Sequence, residues 1–276
     1  PNRYTPATAI WLEAATGGRF ASAVEATSLA DATVELEHSH RFAAGADIGA
    51  LAAAVRTGDA AAALALLDAG KGLRREAPEL AVLGETLGRE VLPHYLPLLR
   101  AADPHEALAV AERFRVLTAL REGPWGALAL ADTLDAALRE RSPRRDGVWF
   151  PGRLVAIERN DPALGLYNGD IGVALATGPR RALEVWFGTA GGPRAVLPGQ
   201  LPLHRPAWAL SVHKSQGSEW DAVLVVLPSR VARVLSRELV YTAVTRARRQ
   251  VVLWSPAEVL AEAVARRSER WSGLAD

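Results

Sequence analysis

A chain of 276 residues with 49% hydrophobic and 23% charged residues can form one large or two modest domains and has ample material for a core. A formal net charge of +1 supplies no long-range field, so any nucleic-acid path has to be a local basic patch. The lack of cysteine excludes disulfides and thiolate metal sites and suits a reducing cytoplasm, while no apolar run of membrane-spanning length and no signal-peptide pattern is present.

In chain order, residues 6–15 read as a short helix, and Thr33-Val34-Glu35-Leu36 as a strand running into His38-Ser39-His40-Arg41-Phe42. Residues 46–56 and 59–68 form an alanine-rich helical pair with apolar positions three and four apart. Helices are expected to continue over 76–100, broken or kinked at Pro93 and Pro97, and over 104–114. The short apolar run 115–120 reads as a buried strand, ending at Arg121-Glu122-Gly123-Pro124-Trp125-Gly126 before a helix over 127–141. Trp125 offers either a packing wedge beside its glycines or a face on which a base stacks.

From Ser142 the composition changes. Ser142-Pro143-Arg144-Arg145-Asp146-Gly147 is linker-like, and the following residues alternate apolar and polar with frequent Gly and Pro. Residues 153–159, 170–175, 183–187 and 195–197 read as short antiparallel strands, with Asn168-Gly169-Asp170 as a tight turn among them. They predict a small β-barrel over 148–205, inserted between a first segment 1–147 and a last segment 206–276. In that last segment 222–227 and 251–254 are uninterrupted apolar strands, the pattern of a mainly parallel sheet covered on both faces. Between them a helix over 237–248 would place Tyr241, Val244 and Arg248 on one face and Thr242 and Arg246 on another. The tail, 256–271, reads as an amphipathic helix with Ser255 as N-cap.

Two blocks carry most of the chemistry: Ser211-Val212-His213-Lys214-Ser215-Gln216-Gly217-Ser218-Glu219-Trp220-Asp221, and Leu239-Val240-Tyr241-Thr242-Ala243-Val244-Thr245-Arg246-Ala247-Arg248. Gly217 lets backbone approach a ligand closely, and Glu219 offers acceptors suited to sugar hydroxyls. Arg246 carries a planar cationic fork able to reach charge developing on a transferred phosphoryl group. Singly, a His-Lys pair is usually solvated surface, a Gln-Gly a turn and an Arg an exposed charge. Jointly, in this order and separated by an apolar strand, the blocks resemble motifs V and VI of superfamily 1 DNA helicases, in the form found in the RecD family. His38-Ser39-His40-Arg41-Phe42 resembles motif IV, Arg121 to Gly126 resembles a further RecD-family element, and 160–170 resembles a segment of that family's Src-homology-3-like insertion.

The resemblance implies a RecA-like α/β domain, of the P-loop NTPase type, with a small Src-homology-3-like β-barrel inserted. It implies ATP with Mg2+ as cofactor, with Arg41 and Arg246 facing the γ-phosphoryl group and Gln216, Gly217 and Glu219 near the nucleotide. Ser211, His213 and Lys214 would face the backbone of single-stranded DNA, and Asn168 would lie in a barrel loop near it. Only two lysines exist, Lys71 and Lys214, and neither follows a Gly-x-x-x-x-Gly run, so the P-loop and the magnesium ligands are expected in a RecA-like domain preceding Pro1. The partners implied are that domain and the beta and gamma subunits of exodeoxyribonuclease V, for 5′-to-3′ movement in double-strand break repair. A stand-alone RecD-like helicase, and a non-motor module with decayed motifs, remain the alternatives. No carboxylate cluster suggests a nuclease or other metal site.

Overall fold

The computed structural model describes residues 3–26, 28–33, 47–70, 72–144, 147–177 and 182–268. The expected strand at 33–36 falls almost wholly outside them, and Arg41 with its motif lies outside altogether. The chain divides into two units, 1–44 and 45–276.

In the first unit α1 (Pro6–Thr16) begins where Thr5 caps it, with proline in the first turn, and stops at Gly17 in the left-handed conformation. A short α2 (Ser28–Asp31) follows. Asp31 accepts from both the backbone N–H and the hydroxyl of Thr5, each at 2.7 Å, which holds its carboxyl below the usual range.

The second unit starts with the expected helical pair, α3 (Asp47–Thr57) and α4 (Ala60–Asp68), the latter capped by Asp59. The helical stretch expected over 76–100, broken or kinked at Pro93 and Pro97, forms as separate short helices and starts later than expected. Leu73–Glu76 is instead a strand, β1, followed by α5 (Leu83–Glu90), α6 (Leu92–Tyr95) and a 3-10 turn at Leu96–Arg100. Pro93 and Pro97 each sit in the first turn of a new short helix, where a missing N–H costs nothing. Next come α7 (Pro104–Ala111), β2 (Phe114–Thr118) and α8 (Ala127–Arg141). Phe114, expected at the end of a helix, opens β2 instead.

An antiparallel group follows: β3 (Leu154–Ile157), β4 (Ile171–Thr177), β5 (Ala182–Phe187), β6 (Arg194–Val196) and β7 (His204–Pro206). These strands pair in the order β6-β5-β4-β3-β7 around a core of Val155, Ile157, Leu166, Ala174, Val185, Phe187 and Val196. β7 escaped sequence reading because it is short and ends in a proline, a residue confined to sheet edges, and an edge is where it lies. The chain then re-enters the larger sheet through β8 (Ala209–Ser211), β9 (Trp220–Val226), α9 (Arg237–Val244), β10 (Ala247–Trp254) and α10 (Ala257–Ala265).

The larger sheet has the order β1-β10-β9-β2-β8, and every neighbouring pair is parallel. Its centre is buried on both parities, Val223, Val225, Val251 and Leu253 on one and Val116, Leu224 and Val226 on the other, as parallel strands require. Rings cover one face at β2, where His94 stacks on Phe114 at 3.9 Å; α3, α4 and α9 pack on β10, β1 and β9.

Two polar devices join the antiparallel sheet to the larger one. Asp135 of α8 accepts from Arg153 at 3.0 Å and from the Trp208 indole at 2.9 Å, so one carboxylate holds both ends of the insertion. Tyr95 donates to the Trp208 carbonyl at 2.7 Å, and burial pushes its phenol up to about 12, so it stays a donor. Gly152 permits the entry: it sits at φ +85, and a Cβ there would lie 2.6 Å from Leu98 backbone.

Candidate functional site

The first block starts at one end of the sheet and finishes at the other. Ser211 closes β8 opposite Thr118, which is also opposite Val226, whereas Trp220 opens β9. The seven residues of β9 place its ends about 20 Å apart at ~3.3 Å per residue. Ser211 therefore lies level with the far end of the strand that Glu219 immediately precedes. The residues expected at DNA and those expected at nucleotide belong to one segment but to two places.

At the near end of β9 the two blocks meet. Arg246 lies just past α9, whose last residue is Val244, and its Nη1 donates to the Ser218 carbonyl at 3.3 Å while Nε donates to Thr242 at 3.2 Å. Its own carbonyl accepts from Trp220 N–H at 3.0 Å. Gly217, at φ +88, makes the bend that a side chain would strain, although nothing lies within 4 Å of where a Cβ would stand. Gln216 is exposed, and Glu219 pairs with Arg248 at 3.5 Å.

The helix expected over 237–248 is thus corrected. It ends early because Thr245 turns its hydroxyl back onto the Tyr241 and Thr242 carbonyls, and Ala247 is already in β10. Val244 is fully buried, Tyr241 is exposed and Arg248 projects from a strand, so the three share no helical face. Ser255 is likewise no cap: Pro256 holds the N-cap position of α10, and the buried Ser255 hydroxyl donates to the Pro256 carbonyl at 2.9 Å. That helix closes at Ala265.

At the far end Ser211 and Lys214 line a shallow groove with Arg121, Asp132, Glu158 and Arg205. Lys214 Nζ lies 2.5 Å from Glu158 Oε1, and Arg205 Nε 2.6 Å from Glu158 Oε2. Burial raises the Glu158 carboxyl, but the hydrogen bonds from Lys214 and Arg205 outweigh it and leave a net lowering. His213 is exposed and does not line this groove. Asn168 is exposed in a loop tied by its own hydrogen bonds: its N–H donates to Asn160 Oδ1 at 2.8 Å, and Gly169 N–H to the Ile157 carbonyl at 2.9 Å. Trp125 is buried and lines a separate pocket at the ends of β1, β9 and β10, not the groove itself.

Glu158 and Arg205 were missed in the sequence. They reach Lys214 and each other across 56 and 47 residues, and no local spacing signals such a meeting. Among the described residues no group of three or more His, Cys, Asp or Glu could hold a metal ion, and no helix is long and apolar enough to cross a membrane.

The mainly parallel sheet, with these two blocks meeting at Arg246, coincides with a match of residues 206–254 to the UvrD-like helicase C-terminal domain family. The RecBCD enzyme subunit RecD of Mycolicibacterium smegmatis is 43% identical over 245 residues, which cover 87% of this chain and 42% of that protein. The RecBCD enzyme subunit RecD of Mycobacterium tuberculosis is 41% identical over 265 residues, 94% of this chain and 45% of that protein. The ATP-dependent RecD2 DNA helicase of Deinococcus radiodurans is 35% identical over 162 residues, 56% of this chain and 22% of that protein. The chain belongs to the RecD family, and it spans less than half the length of these relatives.

Proposed function

We propose that this chain is the second RecA-like motor domain of a RecD-type ATP-dependent DNA helicase, moving 5′ to 3′ on single-stranded DNA. The observation that carries the reading is the meeting of both helicase-like blocks at Arg246, whose fork is oriented by the Ser218 and Thr242 carbonyls. Bound ATP with Mg2+ would supply the phosphoryl group whose transfer drives movement. Arg246 would neutralise charge on that group, while Gln216, Gly217 and Glu219 would line the sugar and phosphate side; a like role for Arg41, outside the described residues, rests on the resemblance alone. These residues fit the finger half of a nucleotide cleft. Phosphate-cradling and magnesium-binding groups would belong to a partner RecA-like domain.

The antiparallel sheet at 154–206 is read as the Src-homology-3-like barrel, within boundaries 148–205, flanked by the two parts of the motor domain at 1–147 and 206–276. Ser211, His213 and Lys214 would track the DNA backbone without reading sequence, with Asn168 at a second point of approach. The greater identity and coverage of the mycobacterial RecD subunits favour a place in exodeoxyribonuclease V, with beta and gamma subunits, in cytoplasmic repair of double-strand breaks. The likeness to RecD2 supports the second reading, a helicase working alone. Purifying the native protein and identifying what co-elutes separates the two.

The test is Arg246→Lys in the full-length protein. It keeps the charge and loses the fork, so ATP turnover on single-stranded DNA should fall on the order of 10³-fold with an unchanged melting temperature. Turnover near the wild-type rate would return Arg246 to a structural role.

A further inference from the structure

The groove at the far end of the larger sheet sets two cations on one carboxylate. Glu158 directly follows β3 and Arg205 lies in β7, both in the antiparallel sheet, whereas Lys214 belongs to the block that leaves β8. The Glu158 side chain is 11% exposed, against 44% for Arg205 and 41% for Lys214. The carboxylate is therefore beneath and the cations are on the open side. Each carboxylate oxygen takes one partner, at 2.5 and 2.6 Å, a two-point geometry that a phosphate's oxygens reproduce.

Resting on the reading of this groove as a path for single-stranded DNA, we propose that Glu158 is a positioning residue that acts as an internal surrogate for a DNA phosphate, holding Lys214 and Arg205 at phosphate-binding spacing and limiting the groove's grip. Two cations less one carboxylate leave one net positive charge at the cluster. A passing phosphate meets that one charge and takes over hydrogen bonds that Glu158 otherwise accepts. Both cations stay oriented, so little side-chain freedom is lost when DNA arrives. The strand is held less tightly than two bare cations would hold it, which suits a strand that has to advance. Glu158 also ties the antiparallel sheet to the helicase-like block, so each phosphate that draws Lys214 away loosens that tie.

The experiment measures binding of a fluorescent oligothymidylate to the full-length protein across a potassium chloride series, with thermal melting as folding control. Each net positive charge that meets a phosphate contributes about 0.7 to the slope of log affinity against log salt for a single strand. Glu158→Gln should steepen the slope by about 0.7 and tighten binding at low salt, a relative gain of about two- to threefold between 50 and 200 mM. Arg205→Ala should make the slope shallower by about the same amount, and Arg205→Ala with Glu158→Gln, which restores one net charge, should return it to wild type. A role in folding alone would not produce that compensation. If Lys214→Ala weakens binding while Glu158→Gln leaves the slope unchanged or shallower, the surrogate is overturned and the DNA path stands. If Lys214→Ala and Arg205→Ala both leave affinity and slope untouched, the DNA path itself fails. Should Glu158→Gln melt early, Arg205→Ala decides: an unchanged slope there, with Lys214→Ala effective, also overturns the surrogate.

Discussion

Arg115 shows how much one side chain can hold together without taking part in chemistry. It is 1% exposed in β2, donates to the Ala111 carbonyl at 3.0 Å and to the Ala207 carbonyl, and lies 5.3 Å from the Trp220 ring. Burial pushes its guanidinium down, and among the described residues no carboxylate pairs with it; carbonyl dipoles and a ring face solvate the charge. In sequence it looked like the start of an apolar strand and nothing more, because its partners are a helix end and the residue before Trp208. Arg115→Ala would orphan two buried carbonyls, each at about 1–3 kcal/mol, and leave a cavity besides. We expect a loss of about 3 kcal/mol or more in urea unfolding, and a midpoint within error of wild type would refute the account. By contrast, the exposed pair of Arg248 with Glu219 and Asp221, at 3.5 and 3.8 Å, should contribute little, as surface pairs do.

Among elements, those whose causes are local were legible. The helix expected over 127–141 is α8 with the same ends, since apolar spacing and the glycine before it are both neighbours in sequence. β1 was not legible: Leu73-Arg74-Arg75-Glu76 carries three charges, and only pairing with β10 at the sheet edge makes it a strand. Arg74 is satisfied there by Glu76 at 2.6 Å and Glu90 at 2.7 Å, partners that the fold supplies. Motif residues were legible for the same local reason, whereas Glu158 and Arg205 depend on a meeting of strands remote in sequence. The junction held by Asp135 belongs to this scale. With Arg153 7% and Asp135 13% exposed, Asp135→Ala leaves a buried cation and an indole N–H without their acceptor. Removing one partner of such a pair costs about 3–5 kcal/mol. Hydrogen exchange should show it as faster exchange across β3 and β7; protection equal to wild type would mean that the junction is held by other contacts.

For the whole molecule, the sequence announced an α/β fold with a parallel sheet and an inserted antiparallel group, and the five parallel strands bear out the first part. The second is seen as a five-stranded antiparallel sheet; its reading as a closed barrel stays a proposal. The division of labour expected of a two-domain motor gives a further prediction. By itself the 276-residue chain should bind ATP poorly and hydrolyse none above background, because neither of its two lysines follows a Gly-x-x-x-x-Gly run and, among the described residues, no carboxylate cluster could hold magnesium. Steady ATPase activity of the pure chain, abolished by Arg246→Ala, would overturn the half-motor reading.

The junction at Asp135 has a consequence for how such a chain can diversify. Ala207 N–H donates to the Leu154 carbonyl at 3.0 Å, so the insertion departs and returns through one doorway, locked by a carboxylate on a helix of the host sheet. Whatever is strung between the two doorposts need not be seen by the larger sheet, and the entropy of closing a longer excursion rises only by about 0.6 kcal/mol per doubling. Length and sequence beyond the doorway are thus nearly free to drift, and the outer strands can be refitted without rebuilding the parallel sheet beneath them.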